Sequence, residues 1–420
     1  MNNNSEKIYS DAHSIIKRSI AENLPHEAVR NALKDHAFGG NVCLVAIGKA
    51  AWTMAQAAKD ELGDLIKKGI VITKYGHSEK PLKDMEIIEA GHPVLDENGI
   101  AGTGKAVELA EKLGENDELL FLISGGGSAL FEKPLPGLSL SDLTDINSQL
   151  LASGADIVEI NMIRKRLSSV KAGRFAEICA PAKVFTIVLS DVLGDRLDSI
   201  ASGPASPDLS TREDALRVAE KYNLRLDDKV RSYLEKETPK SLNNVKTVIT
   251  GSVRTLCHSA ADNARALGYN AYILCTDLNC EARDAGRFIA AMARQLNSEN
   301  DGAFKRPCAI IFGGETVVHL KGNGKGGRNQ ELALSAAEGI EGIENVVVFS
   351  AGSDGTDGPT DAAGGITDGN TARRLKEKGL NISAILDNND AYHGLSAVDG
   401  LIKTGPTGTN VNDLTVLLAR

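Results

Sequence analysis

Aromatic side chains are scarce in this 420-residue chain, at 4% with a single tryptophan. A platform that stacks nucleic-acid bases needs several aromatic faces in a row, so that function is not expected. A basic surplus is missing too: the formal net charge is -9. This excludes a whole-protein basic field for gripping phosphodiester backbones, and leaves a local basic patch open. No apolar run approaches the roughly 20 residues that cross a bilayer. The start, Met1 to Lys7, has no apolar stretch behind a basic cluster and is not expected to be a secretory signal. The six cysteines are scattered without a C-x-x-C pair. That favours reduced, buried thiols in a cytoplasmic protein over a disulfide frame or a zinc site. Short-period repeats are absent, which argues against a solenoid.

What the chain has is an ordinary globular composition, 42% hydrophobic and 25% charged, and length for two or three domains. Ile15, Ile16, Ile20 and Leu24 recur at helical spacing before Pro25 breaks the pattern. Short apolar runs then alternate with helical stretches. Residues 42–47, 69–73, 119–123 and 184–189 read as buried strands of a parallel sheet covered on both faces. Residues 208–244 are charged and helix-forming, an exit from a first domain. Strand-like runs resume at 245–249, 271–274, 309–312 and 346–349, and 298–307 reads as a polar surface loop. The expected fold is α/β with two domains, 1–240 and 241–420.

Glycine is the surplus, 42 residues, and it falls where the apolar strands end. The run at 42–47 leads into Gly48-Lys49-Ala50. The run at 119–123 leads into Ser124-Gly125-Gly126-Gly127-Ser128. Those at 184–189, 309–312 and 346–349 lead into Ser190-Asp191, Gly313-Gly314-Glu315-Thr316 and Ser350 to Gly355. Parallel sheets bind ligands at the carboxyl ends of their strands, so these loops are expected to line one cleft. Three consecutive glycines let backbone N–H groups close on a phosphate, and a following helix would add its positive end. Gly322 to Arg328 is a second, basic glycine loop. A cation at a helix start opposes the dipole unless an anion lies between them, so Arg328 with Gly326 and Gly327 reads as a second phosphate holder. Lys49 could neutralise a transferring phosphoryl group. Asp191, Asp195, Asp354, Asp357 and Asp361 are the acidic counterpart, able to hold Mg²⁺ or to orient and deprotonate a hydroxyl. Asp191 and Asp354 rank first because they directly follow strands. Asp357 and Asp361 carry more of the alternative reading, as turn formers.

Other signals are ambiguous or misleading. Gly99 to Lys105 has P-loop spacing, but Ala106 stands where Mg²⁺ binding needs Ser or Thr, and a helix start is the better reading. No G-x-G-x-x-G follows the first strand, and Lys74 rather than an acid ends the second, against a standard nicotinamide unit. Asn161 to Arg174 is densely basic: either a solvated helix face or a cationic surface for a small carboxylate. His92 and His319 receive no role.

In order along nearly the whole chain, these motifs resemble the class II glycerate kinases, whose C-terminal part is called MOFRL. The carriers are Ala46 to Ala50, Gly91-His92-Pro93, Leu122 to Leu130, Asn161 to Arg174, Ser190-Asp191-Val192 and Ser202-Gly203-Pro204. They continue with Gly313 to Thr316, Gly324 to Glu331, Asp354 to Pro359 and Thr404 to Asp413. Ala172 departs from a frequent glycine. The resemblance implies an N-terminal Rossmann-like domain, a C-terminal mixed α/β domain and a site between them. It implies ATP-dependent phosphorylation of D-glycerate at the 2-hydroxyl with Mg²⁺, and a cytoplasmic enzyme without nucleic-acid or membrane partners, a monomer or homodimer. It favours Lys49 and Arg328 as catalytic cations. We place Asp191 with them, Ser124 to Ser128 with Gly326 and Gly327 on the nucleotide, and Asp354 on the metal; Gly125 to Gly127 holding the glycerate carboxylate instead of phosphate, and Asp354 instead of Asp191 steering the 2-hydroxyl, are the open alternatives. The alternative is a hydroxypyruvate reductase, a name attached to relatives of this family.

Overall fold

The structure, a computed structural model, describes residues 3–298 and 303–420. Within the expected polar loop, 299–302 lie outside the described residues. Two helices come first, α1 (Asn3–Glu22) and α2 (Pro25–Lys34). Pro25 takes the first position of α2, where its missing N–H costs nothing. The chain then divides into two compact units, Pro25–Thr250 and Met1–Leu24 with Gly251–Arg420.

The unit at 25–250 is built on β1 (Asn41–Ile47), β2 (Ile66–Lys74), β3 (Met85–Ala90), β4 (Asp117–Ile123), β5 (Lys183–Leu189) and β6 (Val245–Gly251). Their order is β3-β2-β1-β4-β5-β6, and β1 to β5 pair in parallel. The near-continuous apolar runs follow from this, because the inner strands are covered on both faces: β4 is buried from Glu118 to Ile123. Chain direction across the sheet switches between β1 and β4. Their register aligns Ile47 with Ile123, so the loops after both strands leave at one level.

Helices α3 (Ala51–Leu62), α4 (Glu97–Ala110), α5 (Gly127–Leu130) and α8 (Arg174–Ile178) flank the sheet's strands in sequence. Between α5 and α8 come α6 (Leu140–Ala152) and α7 (Ile157–Leu167); α9 (Arg212–Lys221) and α10 (Asp228–Leu234) follow β5. These four share their own core, including Leu143, Leu150, Ile163, Val218 and Leu234. Three of them begin with a capping box, at Ser139, Asp156 and Thr211, which satisfies amides that a helix start leaves open. The charged stretch at 208–244 therefore serves this helical cap instead of leaving the domain.

The other unit holds α11 (Val253–Ala266), α12 (Ala282–Ser298) and α13 (Arg328–Gly339) around β7 (Asn270–Leu278), β8 (Cys308–Gly314), β9 (Val346–Gly352), β10 (Gly364–Asp368), β11 (Leu401–Ile402) and β12 (Asp413–Ala419). The order is β11-β10-β9-β12-β8-β7. Only β7 and β8 pair in parallel; the other neighbours are antiparallel.

Two expectations change. A boundary at 240 is displaced, because β6 completes the first sheet: Val184 N–H donates to Asn244 O at 2.8 Å. The first 24 residues belong with the second unit, where Asn23 bonds Ser259 and Tyr269 donates to Asp11 at 2.8 Å. The second sheet is mixed because β12, buried throughout, runs antiparallel between β8 and β9. As read from sequence, Gly99 to Lys105 lies inside α4, whose start is capped by the Asp96 carboxylate on Gly99 N–H at 3.0 Å.

Candidate active site

In the unit at 25–250, three strand ends converge. Gly48 and Lys49 follow β1, Ser124 to Gly126 follow β4, and Asp191 follows β5. Ser124 is buried and acts as a latch. Its hydroxyl donates to Ile47 O at 3.2 Å and accepts from Ala50 N–H at 3.1 Å. Lys49 N–H donates to Gly125 O at 2.9 Å, so the two turns are stitched together. Gly48 has φ +109° and lies so close to Ser124 that a Cβ would overlap it. Gly126 has φ +85°, and a Cβ there would meet His92 at 3.0 Å and the Lys49 Cε at 3.3 Å. A Cβ on Gly125 would overlap the Asp191 carboxylate. The glycines are thus required by crowding as well as by left-handed backbone.

This turn has free donors. Among the described hydrogen bonds, none is donated by the backbone N–H of Gly125, Gly126, Gly127 or Ser128, and all but Gly127 are partly exposed. Such a run of unpaired amides is a nest for an anion. The helix behind it, α5, is one turn long, so the expected dipole contribution is small. The far side of the turn is fixed by buried cations. Lys171 Nζ donates to Ser128 O at 2.8 Å and Phe131 O at 3.1 Å, and pairs with Glu132 at 3.2 Å. Burial lowers the Lys171 pKa to about 8 against the pull of Glu132. Ser128 Oγ lies 3.1 Å from Ser202 Oγ.

Lys49 is partly exposed, and among the described residues no carboxylate lies within ion-pair distance of its ammonium. Its charge is felt on two neighbours. The Asp191 pKa is raised by burial, with Lys49 opposing the rise. The His92 pKa is lowered by burial and then by Lys49, which favours a neutral ring. Its own backbone N–H also lowers the Asp191 pKa, and no other residue's hydrogen bond to this carboxylate is among those described, which leaves it able to accept a proton.

The basic run Asn161 to Arg174 is neither a solvated face nor an open cationic surface. Lys165 pairs with Asp198 and Asp208, and Arg166 with Asp208. Arg174 donates to the carbonyls of Lys165 and Ser168 at 2.6 and 2.7 Å. Arg164 alone keeps a sparsely used guanidinium, with one long bond to Ser128 O at 3.4 Å.

In the other unit, Arg328 opens α13. Its guanidinium donates to Asp413 at 2.6 and 3.2 Å and to Glu315 at 2.7 Å. Burial works to lower its pKa, but the Asp413 bond and charge, with Glu315, raise it overall. The anion that makes a cation tolerable at this helix start is therefore the protein's own. The helix end itself is filled by Asp357, which accepts from Asn329 and Gln330 N–H at 3.2 and 2.9 Å. Asp357 is buried, and that burial lifts its pKa to about 6 in spite of those bonds. A Cβ on Gly327 would overlap this carboxylate.

Most of the second glycine loop is also spent internally. Lys321 and Gly322 N–H donate to Asn389 Oδ1, Asn323 N–H to Asn388 Oδ1, Gly324 N–H to Asn388 O, and Lys325 N–H to Asp390 Oδ1. The amides of Gly326, Gly327 and Arg328 lack a partner among the described hydrogen bonds. Asp354 accepts from Thr356 N–H at 2.9 Å on one oxygen, an Asx turn, and the other oxygen has no bond among those described. Asp354 and Asp413 both flank Gly352. Asp361 is tied to Lys403 at 2.9 Å and Tyr392 at 2.6 Å, a structural role. The Asp195 side chain lies outside the described residues. Among those described, no group of three metal-binding side chains is assembled.

The structure brings Lys49, the Ser124 turn and Asp191 together. Sequence reasoning gave no role to Asp413 and Glu315, the partners of Arg328. Both sit in motifs quoted for the resemblance, but an acid at a strand boundary carries no local sign of its distant partner.

Residues 308–413 match the model of the MOFRL family, and 11–235 match a model described as a domain of unknown function, DUF4147. The chain is 56% identical to a D-glycerate 2-kinase of Thermotoga maritima, over 98% of both chains. It is 43% identical to a glycerate 2-kinase of Pyrococcus horikoshii, covering 94% of this chain and 93% of that one. A solved glycerate kinase structure from Thermotoga maritima superposes with a TM-score of 0.95 at 55% identity, covering 99% of this chain and all of the other.

Proposed function

The chain belongs to the MOFRL family of glycerate kinases, and on that premise we propose that it transfers the γ-phosphoryl group of ATP to the 2-hydroxyl of D-glycerate. The observation that carries the site reading is the turn Gly125 to Ser128, whose amides, unpaired among the described hydrogen bonds, stand beside Lys49 and an Asp191 whose pKa burial raises. The amides bind phosphate oxygens, and Lys49 offsets the charge that spreads over the transferring group. Asp191 orients the 2-hydroxyl and takes its proton as the new O–P bond forms. The bond from the γ-phosphorus to the bridging oxygen breaks, and ADP leaves with that electron pair.

Arg328 is proposed as a further catalytic cation, already oriented by Asp413 and Glu315, with Gly326 and Gly327 as nucleotide contacts. Asp354 fits a magnesium ion, because one of its oxygens is uncommitted and this ion commonly takes one or two carboxylates with water and phosphates. When bound, the ion would neutralise phosphate charge. The activity suits a cytoplasmic enzyme, and no described helix is long and apolar enough to cross a membrane.

The test is product analysis. With ATP, Mg²⁺ and D-glycerate, phosphorus NMR is expected to show 2-phosphoglycerate and ADP in equal amounts. Phosphorus on the 3-hydroxyl would overturn the regiochemistry. Steady oxidation of NADH by hydroxypyruvate without ATP would support the reductase instead.

A further inference from the structure

Next to the glycine turn lies a cavity of about 280 Å³ that the reaction above does not use. It is walled by the β3–α4 connection, by α5 and by α6 and α7 of the helical cap. Its volume approaches the lower end of the ~300–1,000 Å³ common for small-molecule sites. The walls are mainly aliphatic, with Leu143 and Ile160 inside. At its mouth, Val94, Leu151 and Ile157 are 74%, 68% and 64% exposed, a cluster of large apolar side chains left in water. Exposed apolar groups gathered on one concavity mark a ligand site better than single ones do.

Glu132, Thr144, Asn147, Ser148 and Arg164 interrupt the apolar wall, and the Glu132 carboxylate is already paired with Lys171. Asn147 lines the cavity, and its buried Oδ1 has no hydrogen-bond partner among the described residues. Arg164 lines it too; burial lowers its pKa and the charge of Glu132, in the same wall, opposes that, and its one described hydrogen bond is the long one to Ser128 O. The cavity joins the phosphate-holding turn directly. Ala129 lines it and follows Ser128, and Pro93 lines it and follows His92, the neighbour of Gly126.

Glycerate is a poor occupant. Every carbon of that three-carbon acid bears oxygen, so it gains little from aliphatic walls and would leave much of the space unfilled. A flat heterocycle matches better. Its faces would lie against the aliphatic walls, a guanidinium can stack on it, and an exocyclic amino group would satisfy Asn147 Oδ1.

We propose that this cavity seats the adenine base of the nucleotide, with Arg164 against the ring and Asn147 reading the amino edge. The inference rests on the reading of the chain as an ATP-using kinase. Because Leu151 and Ile157 are largely exposed, the double variant Leu151→Ser/Ile157→Ser is expected to fold, and its melting temperature checks this. Its KM for ATP is expected to rise about tenfold or more, while the KM for D-glycerate stays within about twofold. Binding of a fluorescent N-methylanthraniloyl-ADP, which needs no turnover, is expected to weaken by a similar factor. Asn147→Leu is expected to narrow the preference for ATP over GTP at least about fivefold.

A rise in the KM for D-glycerate with the ATP value unchanged would overturn the proposal and give the cavity to the acid. Unchanged nucleotide constants in both variants would also overturn it. If the wild type binds the labelled ADP and the double variant loses it, yet neither phosphorylates glycerate, the base pocket stands and the kinase reading falls.

Discussion

Asp191 and Asp357 are both carboxylates raised by burial, yet they differ in what faces them. Asp191 has a cation and its own backbone N–H; Asp357 has two helix amides. The first is suited to receive a proton, the second to end a helix. Asp191→Asn is expected to lower kcat by about 10²–10⁴ with little change in KM, and the wild-type kcat/KM should fall at acid pH with an apparent pKa above the ordinary Asp value. Steady-state profiles of both proteins test this, and an unchanged kcat would remove the residue from proton transfer. For Asp357 the sign follows from proton binding. With a folded pKa of about 6 against an ordinary 3.8, the native state binds the proton more tightly, so stability is lost as pH rises through that interval. Relative to Asp357→Asn, the wild type should lose about 2 kcal/mol between pH 4 and 7. Denaturant titrations at both pH values measure it, and parallel pH dependences would refute it. A turn-former reading of Asp357 and a catalytic one were both open from its Asp-Gly neighbours. Neither could foresee a helix 27 residues earlier in the chain, because a cap made from outside its own helix leaves no local pattern.

At the scale of elements, strands and glycine turns were the legible part. Residues 119–123 read as a covered parallel strand because five apolar side chains in succession leave no polar face, and β4 is that strand. The strand β3 went unread because Met85-Glu86-Ile87-Ile88-Glu89 mixes charge into a sheet edge. The second glycine loop was legible as a loop but not in its use. The amides from Lys321 to Lys325 are consumed by Asn388, Asn389 and Asp390, some 65 residues later. The first glycine turn stands on an aromatic cluster: Phe131 and Phe175 ring centroids are 5.0 Å apart, and Phe121 lies 5.0 Å from Phe175. Phe175→Ala should therefore cost about 3–5 kcal/mol of stability in denaturant unfolding. A loss below about 1 kcal/mol would mean that the cluster does not anchor the turn.

Over the whole molecule, the alternation of strands and helices announced two α/β units, and 56% identity over 98% of a glycerate 2-kinase agrees with the motif order. The boundary was misread because charged, helix-forming sequence resembles a linker, whereas 208–244 adds two helices to a cap and then returns the chain to the first sheet as β6. The account turns on Lys49, for which there is no ion pair among the described residues and which lies beside four amides with no described partner. The most direct measurement is the kcat of Lys49→Ala at saturating ATP and D-glycerate, with melting temperature as the control for folding. A fall of about 10³ or more with an unchanged melting temperature is the predicted result. Turnover within about threefold of wild type, in a folded variant, would contradict the placement of phosphoryl transfer at this turn.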